Sequence, residues 1–398
     1  MENKKKRDLA AIASIPLMMT LANSMLIPVL PAIQKVLGIN SFKTSLIITS
    51  YAVIAIFFIP VAGYLSDLWG RKKVILPGLI IVAAAGALSG WASIAMEKPY
   101  TMIMIGRLFQ GLGASACFPV VLPLVGDLFK SEDDVSTGLG IVETANTFGK
   151  VLSPILGSAL AMWAWYIPFW SIPVFSLISI ILISIWVKVP PDKNQKPISF
   201  GEFMRSIKDL FRMQGKWLWG VFSSGGLNMF VMFASLFYLS EMLEDRHIDG
   251  IAKGGLVAIP LAALCATSFG IGKWIGQNRA LMKWISVIGF LIATACMAYL
   301  ALTGKKSTAS LLVFLFIGFA GLGAVLPSLD ALITEGIKKE QRGTVTSFYS
   351  SIRFIGVAMG PPLAALINKF SALFWLLSIS CLAASLVVLW SIKPKRAA

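Results

Sequence analysis

Charged residues are scarce in this chain. Of its 398 residues, 14% are Asp, Glu, Lys or Arg, whereas soluble domains typically hold about 25%. Hydrophobic residues make up 57% of the sequence, and this excess of apolar surface needs a solvent other than water. Because lipid is that solvent, the composition predicts an integral membrane protein.

Histidine and cysteine are also rare. His247 is the only histidine and lies in a loop, and the four cysteines lie in apolar stretches without paired spacing. Disulfide frameworks and metal sites need such spacing, and no G-x-x-x-x-G-K-[ST] loop is present to bind ATP phosphates. We therefore expect a protein that is not an enzyme and that holds no metal and no cofactor. The cysteines are Cys117, Cys265, Cys296 and Cys381.

The net charge of +16 raises the question of nucleic-acid binding. The basic residues, however, form short clusters between apolar stretches, as topology signals do. Segments on the side that includes both termini hold about three times as many Lys and Arg residues as the opposite loops. This predicts a multi-pass protein of the cell membrane with both termini in the cytoplasm, in contact with lipid and not with nucleic acid.

Twelve apolar stretches are long enough to cross a bilayer as helices. The longest loop divides them six and six, which predicts an all-α integral membrane protein of two pseudo-symmetric six-helix bundles. The predicted bundles are 1–187 and 217–398, with a cytoplasmic linker at 188–216. The predicted spans are 9–34, 45–66, 74–95, 100–126, 136–161, 167–187, 217–241, 252–273, 282–303, 309–333, 344–367 and 370–391.

The linker contains a stretch, 199–211, with the apolar periodicity of an amphipathic helix. Ser199 and Glu202 match a capping box at its start. We interpret the stretch as a helix lying on the inner membrane surface. The alternative is a docking site for a partner protein.

The two halves repeat each other. The sequence G-L-G-A at 111–114, in the fourth span, recurs at 321–324 in the tenth. The pattern G-x-x-x-[SG]-P at 149–154, in the fifth span, recurs at 356–361 in the eleventh. Duplicated bundles around a site at the membrane midplane are an architecture of secondary transporters.

The loop after the second span reads G-Y-L-S-D-L-W-G-R-K-K over 63–73. It resembles the signature G-x-L-x-D-R-x-G-R-K of the major facilitator superfamily, with Leu68 in place of the first arginine. The resemblance implies the major facilitator fold and a conformational latch, in which Asp67 docks near Thr344 at the start of the eleventh helix, where free N–H groups carry partial positive charge. The alternative is that the basic residues only fix topology. The latch residues implied are Gly63, Asp67, Gly70, Arg71, Lys72 and Asp127, the last paired with Arg71.

The fourth span carries R-L-F-Q-G over 107–111. This stretch is similar to the R-x-x-Q-G motif of the same family, which is assigned to proton coupling. A guanidinium inside a span is costly and is a functional hypothesis by default. The resemblance implies that Arg107 takes part in proton coupling; the alternative is a structural hydrogen-bonding hub.

The fifth span reads G-K-V-L-S-P-I-L-G-S over 149–158. It is similar to the family's antiporter motif g-x-x-x-G-P-x-x-G-G, with serine at two glycine positions. Serine is still small enough for close helix packing. Through Gly149, Ser153, Pro154 and Gly157, the resemblance implies a member of the twelve-span drug–proton antiporter branch.

Two carboxylates inside spans are candidate proton carriers: Glu143 in the fifth span and Asp330 in the tenth. Burial favours the neutral form of a carboxyl group, so such a group can load and release a proton near neutral pH. In the alternatives, Glu143 is the fixed counter-ion of Arg107 or Lys150, and Asp330 stays wet near the cytoplasm.

Other polar residues inside the spans are candidates for contacting a substrate. The cations among them allow an anionic or zwitterionic compound. The candidates are Asn23, Gln110, Asn146, Lys150, Asn228 and Arg353.

The main prediction is a monomeric, proton-coupled exporter of small hydrophobic or amphipathic compounds, of the kind that causes multidrug efflux and antibiotic resistance. It would work by alternating access of its two halves, with the proton gradient as its only energy source. The first alternative is a dedicated exporter of an endogenous metabolite such as a siderophore. An alternative of another class is a membrane receptor or scaffold that transports nothing.

Overall fold

The computed structural model describes residues 3–129, 131–188, 200–276, 278–304, 307–337, 339–367 and 369–392. Within these ranges all regular structure is helical, as the composition predicts. The α-helices are α1 (Asn3–Ser24), α2 (Leu30–Leu37), α3 (Ser41–Trp69), α4 (Arg71–Ala95), α5 (Tyr100–Ser115), α6 (Phe118–Leu128), α7 (Glu132–Ala161), α8 (Ile167–Trp186), α9 (Phe200–Asp245), α10 (Gly250–Trp274), α11 (Arg279–Thr303), α12 (Thr308–Gly336), α13 (Lys339–Leu366) and α14 (Phe370–Ser391).

These helices make the twelve predicted spans, because two spans are each built from two helices. In the first span, a 3-10 turn over Ile27–Val29 separates α1 from α2. In the fourth span, α6 follows α5 after a break at Ala116 and Cys117. A proline stands in the first turn after each break, where its missing N–H removes no helical hydrogen bond.

Ten of the twelve spans are long and apolar enough, among the described residues, to cross a membrane. The other two are α7, which carries Glu143, Asn146 and Lys150, and α13, which carries Arg353. The prediction of an all-α protein with twelve helices is confirmed. Between α7 and α8 the rings of Trp165 and Tyr166 meet edge to face at 5.8 Å.

The chain forms two compact units, Met1–Arg205 and Ser206–Ala398. The predicted linker helix and the seventh span are one helix, α9, which runs unbroken from Phe200 to Asp245. Most side chains of the predicted amphipathic face lie outside the described part of the chain, so that interpretation, like the predicted domain boundaries, stays a prediction.

Both units contain a pair of helices whose backbones touch through glycine. In the first unit, a Cβ on Gly157 of α7 would clash with the Met25 carbonyl oxygen at the end of α1. In the second unit, a Cβ on Gly356 of α13 would clash with the Gly226 carbonyl oxygen of α9. Small residues allow this approach. The matching helix pairs fit the duplication seen in the sequence.

Candidate functional site

Arg107 of α5 ties three helices together in the first unit. Its side chain is fully buried. Nε donates to the Ile47 carbonyl oxygen of α3 at 2.9 Å, Nη2 to Asn23 Oδ1 of α1 at 2.7 Å, and Nη1 to Gln110 Oε1 one turn along α5 at 2.6 Å. Three of the predicted site residues therefore share one hydrogen-bond network.

The groups that surround this charged guanidinium are neutral. Its central carbon lies 4.6 Å from the ring centroid of Tyr51, within the range of a cation–π contact. Among the described residues, no carboxylate pairs with Arg107, so Glu143 is not its counter-ion. The geometry is that of the structural alternative, a hydrogen-bonding hub, and the role in proton coupling stays a prediction.

Glu143 lies in a chain of polar groups between α7 and α1. Thr20 Oγ1 donates to Asn146 Oδ1 at 2.6 Å, and Asn146 Nδ2 donates to Glu143 Oε1 at 3.4 Å. Glu143 is exposed in the folded chain, so the burial assumed in the sequence analysis is wrong. Its position on α7, beside polar groups, leaves its role as a proton carrier a prediction.

The antiporter motif lies on α7 where this helix packs on α1. A Cβ on Gly149 would come within 3.2 Å of Thr20 Cβ. Ser153 is fully buried, and its hydroxyl donates to the carbonyl oxygen of Lys150 at 3.0 Å. Serine therefore fits the glycine position because its hydroxyl bonds within its own helix, and Pro154 follows it inside α7. The Lys150 side chain is buried on the same helix.

The second unit brings together two predicted residues on α12 and α13. Arg353 Nη1 lies 3.6 Å from Asp330 Oδ1. The Arg353 guanidinium also lies over the ring of Tyr349, at 5.5 Å from its centroid. Both charged side chains are partly exposed. Asp330 is therefore an ion-pair partner as well as a candidate proton carrier.

Asn228, on α9 of the second unit, is buried with its polar groups half satisfied. Its Nδ2 donates to the Leu322 carbonyl oxygen of α12 at 3.2 Å, while its Oδ1 has no hydrogen-bond partner among the described residues. One turn earlier, the hydroxyl of Ser224 is also buried and without a partner. Buried polar atoms are normally hydrogen-bonded, so these two atoms lack the partner that such atoms usually have.

The signature loop is held by Arg71, at the start of α4. Its guanidinium pairs with Asp67 through Nη1 and with Asp127 through Nε, the latter at 3.1 Å. Nη1 also donates to Ser66 Oγ at 2.7 Å. Gly70 turns the chain between α3 and α4 with φ at 98°, a value that favours glycine. One guanidinium thus joins the ends of α3, α4 and α6.

Lys72 and Gly63 complete this corner of the first unit. Lys72 Nζ donates to the carbonyl oxygens of Ser184 and Val187, at 3.0 and 2.8 Å, at the C-terminal end of α8. A cation is stabilising at that end of a helix. The Gly63 carbonyl oxygen accepts from Ser66 Oγ at 2.8 Å. These contacts all lie within the first unit, and the latch against the eleventh helix stays a prediction.

Sequence reasoning missed two tyrosines, Tyr51 and Tyr349, which contact Arg107 and Arg353. Tyr349 stands four residues before Arg353, the spacing at which side chains meet on a helix, so the sequence did carry a signal for it. Tyr51 contacts Arg107 from another helix, and no spacing in the sequence predicts that contact.

Residues 12–361 match the family model of the Major Facilitator Superfamily. The chain is 50% identical over 394 residues to the bacillibactin exporter of Bacillus subtilis (strain 168), covering 98% of this chain and 97% of the relative. It is 26% identical over 347 residues to the multidrug efflux protein YfmO of the same organism, covering 86% and 81%.

A solved structure supports the fold. The crystal structure of the human organic anion transporter MFSD10 (TETRAN) superposes with a TM-score of 0.74, covering 96% of this chain and 99% of that one, at 18% identity. At this identity the likeness concerns the fold alone.

Our main functional prediction, multidrug efflux, is wrong. The relative with half of its residues identical over nearly its full length is named for a single compound, bacillibactin. YfmO, a relative named for multidrug efflux, is only 26% identical. The alternative, a dedicated exporter of a siderophore, is the better supported prediction.

Proposed function

This chain belongs to the Major Facilitator Superfamily, and we propose that it exports a siderophore, either bacillibactin or a close chemical analogue. The observation that carries the proposal is the 50% identity to a bacillibactin exporter over 98% of the chain. The alignment with this relative extends over both halves of the chain.

The cations of the spans suit such a substrate. A siderophore binds ferric ion through ionisable oxygen atoms, which carry negative charge when they lose their protons. Arg107 and Lys150 in the first unit and Arg353 in the second carry guanidinium and ammonium groups inside predicted spans. Such groups in spans commonly mark substrate pathways.

We also propose an energy source for transport and an orientation of the chain in the membrane. Exchange of the siderophore for protons, by alternating access of the two halves, would use the proton gradient, with Glu143 and Asp330 as candidate carriers. The positive-inside bias supports cytoplasmic termini, and the direction of export rests on the relative that is named as an exporter. The protein would act as a monomer in the cell membrane and would need no cofactor.

Reconstituted transport tests the proposal. Purified protein in liposomes with an acidic interior is expected to accumulate iron-free bacillibactin several-fold above protein-free liposomes, and an uncoupler is expected to abolish the accumulation. Uptake that survives the uncoupler would refute proton coupling but would still support bacillibactin as the substrate. Uptake of a hydrophobic fluorescent dye with no uptake of bacillibactin would refute siderophore export.

A further inference from the structure

The ion pair between Arg353 and Asp330 is loosely held. Its nitrogen and oxygen lie 3.6 Å apart, and the two side chains are 21% and 39% exposed. A tight pair of this kind has N–O distances of about 2.7–2.9 Å. The same unit contains such a pair, Lys253 with Glu244, at 2.9 Å and nearly buried. The looser pair is the one a competing anion can open at little cost, since partly exposed pairs contribute about 0–1 kcal/mol.

The guanidinium of Arg353 has a second contact besides that carboxylate. The ring of Tyr349, one turn earlier on α13, supports it at 5.5 Å from the centroid. Guanidinium groups stack on aromatic faces and present a planar fork of donors that matches two oxygen atoms at once. The fork is thus positioned for an incoming oxyanion.

Unsatisfied polar atoms lie on the helix next to this pair. Helix α9 contacts α13 at Gly225, where an added Cβ would come within 2.9 Å of the Tyr349 hydroxyl. Ser224 and Asn228 flank Gly225 on α9, and the Ser224 hydroxyl and Asn228 Oδ1 are buried without a hydrogen-bond partner in the described part of the chain. A donor and an acceptor for neutral groups of a ligand are therefore available within one turn of the tyrosine contact.

We propose that Arg353 is the subsite for an ionised oxygen of the substrate, and that Asp330 occupies this subsite until the substrate displaces it. The ligand class is a compound with a phenolate or carboxylate group beside amide or hydroxyl groups, the latter bonding to Asn228 and Ser224. This inference rests on the proposed function for the identity of the ligand. Beyond the proposed function, it assigns Arg353 to substrate specificity and makes Asp330 a competitor of the substrate for Arg353.

Binding of iron-free bacillibactin to the purified full-length protein in detergent, measured by calorimetry, tests the inference. R353Q is expected to weaken binding about tenfold or more, since a hydrogen bond to a charged group is lost. D330N is expected to tighten binding about threefold, because an exposed competing charge is removed. In the double variant the gain from D330N should disappear, because its effect acts only through Arg353.

The matched control is R246Q, the same substitution at an arginine in the second unit that donates to Thr308 Oγ1, and it should bind as the wild type does. If R353Q binds normally, or if D330N binds more weakly, the inference is overturned while the proposed function stands. If R353Q does not fold, the D330N measurement decides alone. If wild type and R246Q both fail to bind bacillibactin, the proposed function falls and the inference falls with it.

Discussion

Two arginines lie inside the spans of this protein, one in each unit, and they are held in different ways. Arg107 is fully buried, and its donors bond to the neutral oxygen atoms of Ile47, Asn23 and Gln110. Arg353 is 21% exposed and faces a carboxylate at 3.6 Å. One is fixed by geometry, whereas the other is balanced by a charge that a ligand can replace.

The difference shows how a membrane protein can use the same side chain for two purposes. Removing an arginine from water is costly, and the cost is offset either by many pre-oriented dipoles or by one counter-charge near solvent. A network of dipoles on three helices cannot rearrange without moving those helices. A single loose ion pair exchanges partners without disturbing the fold.

Replacement of Arg107 should have the largest effect on stability. In Arg107→Gln, three buried acceptors lose their donor, and each is expected to cost about 1–3 kcal/mol, so the free energy of unfolding should fall by about 3 kcal/mol or more. Arg353→Gln should cost less than about 1 kcal/mol, because its pair is partly exposed. Reversible unfolding in mixed detergent micelles measures both values.

Arg107→Lys sharpens this comparison, since it keeps the charge but loses the fork of donors. It should be destabilised nearly as much as Arg107→Gln. Equal losses for the Arg107 and Arg353 variants would contradict the distinction between a fixed and an exchangeable cation.

The glycine contacts, which the two units share, should give the next largest effect. Gly157→Ala and Gly356→Ala each place a methyl group against a backbone carbonyl oxygen of a neighbouring helix, and overpacking of this kind typically costs about 1–3 kcal/mol. Gly140→Ala on α7 and Gly255→Ala on α10 are matched controls, because nothing lies within 4 Å of their added Cβ atoms.

The same unfolding measurement compares the four glycine variants. Each control should be neutral or stabilised by about 0.5–1 kcal/mol, the gain that alanine brings inside a helix. Controls as unstable as Gly157→Ala would show that helix propensity, and not helix contact, decides the result.

Local sequence patterns predicted the helices and the motifs because both depend on neighbours along the chain. The apolar stretches gave all twelve spans, and the prolines mark the breaks in the first and fourth. The pairing of Arg71 with Asp127 followed from a family pattern. The exposure of Glu143 and the neutral partners of Arg107 did not follow, because they depend on how helices distant in sequence rotate against each other.

Lys253 makes another contact that the sequence pattern does not predict. The sequence places it at the edge of a span, next to a loop, and Glu244 lies close to the same loop. In the structure Lys253 is buried in the first turn of α10 and pairs with Glu244 near the end of α9. Charge patterns report the side of the membrane, but they do not report whether a turn folds its charges inward.

The smallest effect on stability is expected in the signature loop, where charges are exposed and shared. Asp67 and Asp127 are 50% and 39% exposed and pair with the same Arg71 guanidinium. Because either carboxylate remains when the other is removed, Asp67→Asn and Asp127→Asn should each cost less than about 1 kcal/mol.

If Asp67 is a latch between conformations, its loss should instead slow bacillibactin transport about fivefold or more, the usual scale of coupling between states. Asp127→Asn, which leaves Asp67 in place, should slow transport less. Transport rates in liposomes and unfolding in micelles together separate the two roles. Wild-type transport by Asp67→Asn would refute the latch. A stability loss as large as that of Arg107→Gln would show that this loop, too, is a fixed part of the fold.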